Sequence, residues 1–188
     1  MLHPWPHRCP GCGFPHEHCV CALIPRVPCR ARIVVVRHIA ERKKASNTGG
    51  LTALVLGCPR IDHGDPGPPT DLSPILGDRP RVLAPHGSTE LTEPPSAIVV
   101  LDGTWGQARR MRARIPPLRD VPAWTLPDAP ARDRMRRPHL PDGLSTMEAV
   151  ATALELLGEP EPARALRSLY DELVRRWLTL RLGHGYAG

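Results

Sequence analysis

Ala97-Ile98-Val99-Val100-Leu101-Asp102-Gly103-Thr104-Trp105 runs five apolar residues straight into an acid, a glycine, a hydroxyl and an indole. Five apolar residues in a row leave no polar face, as in a strand whose sheet is covered on both sides. Ile33-Val34-Val35-Val36 has the same character. Arg81-Val82-Leu83-Ala84 and Val121-Pro122-Ala123-Trp124-Thr125-Leu126 are weaker strand candidates, and Pro122 confines the second to a sheet edge or a late start. Between these runs, residues 51–56 and 104–114 read as helices, the second stopped by Pro116-Pro117. Alternating strand and helix predict an α/β domain on a parallel sheet of four short strands. Residues 57–80 and 127–143, rich in proline and aspartate, are expected to be loops.

Further on, Ser145-Thr146-Met147-Glu148 has the S-x-x-E form of a capping box, and Met147, Val150, Ala151 and Leu154 follow at helical spacing. A final helix is expected over residues 163–182, ended by Gly183. The 188 residues fit one such domain (31–188) plus a small N-terminal segment (1–30). No apolar run approaches the roughly 18 residues of a membrane span. The N-terminus lacks the charged and apolar regions of a secretory signal, so a cytoplasmic location is expected.

Residues 1–30 hold five of the six cysteines and little periodicity, so the segment needs a source of order other than its own core. Cys9-x2-Cys12-x6-Cys19-x-Cys21 brings four thiols within thirteen residues, a spacing that suits one tetrahedral zinc ion. A four-thiolate shell leaves no open coordination position, which makes the expected role structural. His16 and His18 are alternative ligands, whereas Cys29 and Cys58 fall outside the spacing and read as small buried residues.

The formal charge is +6, and only two of the 25 basic residues are lysines, Lys43 and Lys44. That balance favours an anionic partner. Arg109, Arg110, Arg112 and Arg114 fall within six residues directly after the 97–105 stretch, so a basic ridge able to meet phosphate is expected there. Asp102 stands where a buried strand ends, and ligands of open parallel sheets sit beyond the strand carboxyl ends. It is therefore a candidate base, with the alternative that Asp102 or Thr104 merely caps the next helix.

Leu101-Asp102-Gly103-Thr104-Trp105-Gly106-Gln107-Ala108-Arg109-Arg110-Met111 resembles the signature of the DTW-domain family. His38-x-x-Glu41 with Ser46-Asn47-Thr48-Gly49, the Ser145–Ala149 segment and the cysteines resemble three further blocks of that family in the same order. One departure is Gly50, where the resemblance leads one to expect a basic residue.

The resemblance implies a tRNA-uridine aminocarboxypropyltransferase, which moves the 3-amino-3-carboxypropyl group of S-adenosylmethionine to N3 of a uridine in tRNA and releases methylthioadenosine. It also implies a SPOUT-like sheet with a C-terminal trefoil knot. On that reading Asp102 takes or orients the N3 proton. Pro85, Leu101, Gly103 and Thr104 line the cofactor slot, with the helix start at Ser145 and Thr146 meeting the cofactor's carboxylate. Asn47, Thr48, Trp105, Arg109 and Arg110 are expected on the RNA side. Competing readings are a SPOUT-type RNA methyltransferase with the same cofactor and a non-catalytic, zinc-stapled RNA-binding module.

Overall fold

The computed structural model describes residues 7–42, 44–64, 70–127, 135 and 143–183. Five strands form one parallel sheet: β1 (Ile33–His38), β2 (Arg60–His63), β3 (Arg81–Ser88), β4 (Ile98–Asp102) and β5 (Ala123–Trp124), in the order β2-β1-β4-β3-β5. The helices are α1 (Gly49–Leu56), α2 (Ser73–Leu76), α3 (Trp105–Arg114), α4 (Thr146–Leu156) and α5 (Pro160–Gly183). The two apolar runs are the central strands β1 and β4, covered on both faces. Ile33, Val35, Ile98 and Val100 pack with residues of α1, α4 and α5, while Val34, Val36 and Val99 pack with Leu72, Leu76, Met111 and Ile115 of the α2 and α3 side.

Several expectations need correction. Residues 57–80 are not all loop, because they contain β2 and the single turn of α2. β2 reads Arg-Ile-Asp-His, a polar edge strand with no apolar run to betray it, and its Asp62 is held across the sheet by Arg37. The 121–126 candidate shrinks to β5 at the sheet edge, where Pro122 costs no ladder hydrogen bond. Helix α5 starts at Pro160, three residues early, because proline is tolerated at the first helical position. Glu159 ties that start to the chain entering β1 by accepting the amides of Arg30 (2.6 Å) and Ala31 (2.8 Å).

The cysteine-rich segment is not without core residues: Phe14 and Val20 are fully buried in the same cluster as Ile33 and Leu166. Phe14 meets Trp177 of α5 edge-on at 6.3 Å between ring centroids. None of the helices among the described residues is long and apolar enough to cross a membrane. The readings of residues 1–6 and of most of 127–143 lie outside the described residues.

Candidate active site

Strand β4 stays paired with β1 as far as Arg37↔Asp102, but with β3 it pairs only at Arg81↔Ile98 and Val82↔Val99. Beyond those positions β3 and β4 are no longer paired, at the carboxyl ends where α/β sheets bind ligands in a crevice. β3 then leaves its ladder with β5: Leu83 and Ser88 both have Trp124 as partner, so residues 84–87 bow out between them. A Cβ on Gly87 would lie 2.5 Å from the Ala123 carbonyl oxygen, so only glycine fits this return. Pro85 is exposed on the bowed segment and Leu101 half-buried on β4.

Asp102 faces the α1 and α4 side and is 5% exposed. Asn47 Nδ2 donates to its Oδ2 at 2.5 Å, and Thr146 Oγ1 donates to its Oδ1 at 2.7 Å. The orientation of Asn47 is set in turn, since its Oδ1 accepts the Gly50 amide (3.1 Å). Thr48 joins the same cluster, its hydroxyl accepting the Met147 amide (3.3 Å) at the start of α4. Three blocks separated by some fifty residues each thus meet at one carboxylate. Asn47 and Thr48, expected on the RNA side, are buried, and their side-chain bonds run to protein groups.

Ser145 and Thr104 each cap a helix. Ser145 Oγ accepts the Glu148 amide (3.2 Å) while Glu148 accepts the Ser145 amide (2.9 Å), and Thr104 with Gln107 repeats the arrangement on α3. Gly103 leaves room for Gln107, whose Oε1 would sit 3.0 Å from a Cβ there. Trp105 is 38% exposed at the first position of α3. Arg109, Arg110 and Arg114 are exposed, and Arg110 folds back over Gly106 toward the crevice end of the helix. Arg112 leaves the expected ridge, because its Nη2 donates to the Val121 carbonyl (2.8 Å).

Two site features escaped sequence reasoning. The first is Gly49, whose Cβ would lie 2.4 Å from Asp102 Cγ. The signal was present in Gly49-Gly50, two poor helix formers opening a helix, which marks close approach by something opposite. Gly49→Ala is expected to cost about 1–3 kcal/mol through overpacking against the carboxylate, seen as a lower midpoint in a thermal melt. The second is Arg37, buried and forked onto Asp62 at 2.7 and 2.9 Å. Burial opposes ionisation of Asp62, but the hydrogen bonds and charge of Arg37, with Arg60 and Arg42, hold its carboxyl below the usual range. A Cβ on Gly50 would lie 3.3 Å from Arg37 Nη1 and 3.6 Å from Arg60 Nη1, so two guanidinium groups border the place where a basic residue was expected.

The sulfurs of Cys9, Cys12, Cys19 and Cys21 all lie within 4.8 Å of one another, with Cys9···Cys21 at 3.4 Å and Cys12···Cys19 at 3.7 Å. Zinc–sulfur bonds of about 2.3 Å put tetrahedral sulfurs about 3.8 Å apart, so the quartet fits one such ion. Gly11 makes room for it, since a Cβ there would sit 2.9 Å from Cys21 Sγ. Backbone amides, chiefly that of Cys12, draw the Cys9 thiol down to about 6, whereas burial pushes Cys12 up. Cys29 and Cys58 are half-buried and both pushed up to about 11, chiefly by burial, as suits inert residues.

No solved structure matches this chain. A Drosophila melanogaster protein named tRNA-uridine aminocarboxypropyltransferase 2 is 29% identical over 178 residues, covering 85% of this chain and 70% of its own length. The model of the DTW domain matches residues 6–178, from just before the cysteine quartet into the last helix. The chain belongs to the DTW domain family.

Proposed function

We propose that this protein is a tRNA-uridine aminocarboxypropyltransferase acting in the cytoplasm. The observation that carries the reading is the convergence of Asn47, Thr48 and Thr146 around Asp102 at the mouth of the β3–β4 crevice. A buried carboxylate held by two donors is more than phosphate binding needs, and the similarity to the Drosophila transferase supplies the reaction class.

The fit of S-adenosylmethionine rests on the bowed 84–87 segment and on the end of β3–β4 pairing, which leave the backbone there and at Leu101 outside the β3–β4 ladder. Pro85, Leu101, Gly103 and Thr104 would hold its adenosyl part, and the first turn of α4 at Ser145 and Thr146 its carboxylate. When bound, it supplies a carbon made electrophilic by the adjacent sulfonium. N3 of uridine carries a proton near neutrality and attacks poorly until that proton is taken, which we assign to Asp102 as acceptor or orienting group. Asn47 and Thr146 fix the carboxylate's direction, and in-line aim decides which carbon reacts. Trp105 offers a ring for stacking the target base, with Arg109 and Arg110 for the RNA backbone.

The strand order supports the SPOUT-like part of the reading, since β4 is inserted between β1 and β3 and the chain then passes β3 to form β5. The C-terminal trefoil knot of that class belongs to this proposal. Zinc, held by the four cysteines, would order residues 9–21 and stand apart from the chemistry.

Incubation of the pure protein with S-adenosylmethionine and unmodified tRNA tests the reading. Methylthioadenosine and a uridine carrying the aminocarboxypropyl group are expected. Formation of S-adenosylhomocysteine would make the protein a methyltransferase, and tRNA binding with neither product would make it a binding module.

A further inference from the structure

His38 and His63 are register partners at the carboxyl ends of β1 and β2. Neighbours in parallel register point to the same face, and here it is the face of α3, because Val36 and Ile61, two residues earlier in each strand, pack on that side. His38 Nδ1 accepts the Ala40 amide (3.1 Å), so its Nε2 is the nitrogen left outside that bond. His63 Nδ1 is engaged by Thr70 Oγ1 (3.0 Å), so its Nε2 is the nitrogen left outside that bond. Both rings are half-buried.

The groups whose charge can act on His63 come from two elements and are both basic: His38 on β1, when protonated, and Arg114 on α3. The acid of its own strand, Asp62, turns to the opposite face and pairs with Arg37 and Arg42. Asp71, next to Thr70, accepts the Ser73 amide. Two neighbouring imidazoles at the sheet's ligand-binding edge, with the Arg114 charge acting on one of them, suit an anion. The place is also near the crevice, since His38 Cβ would lie 3.4 Å from a Cβ on Gly103.

We propose that His38, His63 and Arg114 bind a backbone phosphate of the substrate RNA at the carboxyl edge of β1 and β2, beyond the pocket around Asp102. This rests on the tRNA reading above and extends the RNA path from the first turn of α3 along its length to the far side of β1. Burial first, then His38 and Arg114, hold the pKa of the His63 imidazole below its ordinary range. A phosphate favours the charged ring and raises that value. Binding therefore takes up a proton, and affinity rises as pH falls from 8 toward 6.

The test is tRNA affinity by fluorescence anisotropy at pH 6 and pH 8 over a range of salt, for the parent chain, His63→Gln and Arg114→Gln. A one-unit change on binding is worth up to about tenfold, so the parent is expected to gain up to about tenfold more affinity than His63→Gln on moving to pH 6. Arg114→Gln, an exposed change that leaves the core untouched, is expected to weaken binding and to reduce the slope of log affinity against log salt by about 1. If both variants keep the parent's pH response and salt slope, the inference falls and the tRNA reading survives. If the parent does not bind tRNA at all, both fall.

Discussion

Asp102→Asn is expected to lower aminocarboxypropyl transfer by about 10²–10⁴-fold, the usual worth of a positioned proton acceptor, while the protein still folds and binds tRNA. The geometry makes this substitution unusually clean. In the native site Asn47 Nδ2 and Thr146 Oγ1 donate to the two carboxylate oxygens. An asparagine at position 102 keeps an oxygen for Asn47 and turns its amide toward Thr146, whose hydroxyl can accept as well as donate. Both contacts are retained, and what disappears is the negative charge. Asp102→Ala, by contrast, would strand the buried Asn47 donor at about 1–3 kcal/mol, leave the half-buried Thr146 hydroxyl without this partner, and confuse catalysis with stability. Single-turnover transfer at saturating tRNA and S-adenosylmethionine, read beside a thermal melt, separates the two. Near-full transfer by the asparagine variant with an unchanged melt would remove Asp102 from the chemistry.

The central half of this molecule could be read from its residues because burial on both faces forces an unbroken apolar run, and β1 and β4 obey that rule. Both capping boxes are written in the sequence, Thr104-x-x-Gln107 as plainly as Ser145-x-x-Glu148. β2 was hidden for the opposite reason. An edge strand of four residues that pairs Asp62 with Arg37 has no need of an apolar pattern, and its turn-rich flanks look like loop. The site was legible as a set of residues and opaque as an arrangement. Local sequence names Asn47, Asp102 and Thr146, but only the fold shows that Asn47 and Thr146 point their donors at one carboxylate and that Gly49 must be bare to admit it. Likewise, Arg110 and Arg112 are equivalent in a run of arginines until tertiary structure ties Arg112 to the Val121 carbonyl.

Loss of the zinc proposed at the cysteine quartet is expected to be felt in α5 as much as in the cysteine segment. With zinc bound as proposed, Cys12→Ser or exhaustive chelation would remove a constraint on residues 9–21, and apparent zinc-binding energies of about 10–16 kcal/mol in isolated fingers exceed what these few residues could supply unaided. Phe14 and Val20 come free with the segment. Re-exposing such side chains costs about 1.5–3 kcal/mol each. The Phe14 edge contact with Trp177 and the bond from Arg176 Nη1 to the Cys19 carbonyl (2.8 Å) go with them. At about 2–4 °C per kcal/mol for a chain of this size, the melting midpoint is expected to fall by roughly 10–20 °C. Trp177 fluorescence is expected to change in the same step, because its buried neighbour departs. Elemental analysis of the parent protein is expected to give one zinc per chain. A parent chain free of metal, with a melt indifferent to chelator, would mean that four converging sulfurs are held by packing alone, and the docking of Phe14 and Val20 would then have to order residues 9–21 without help.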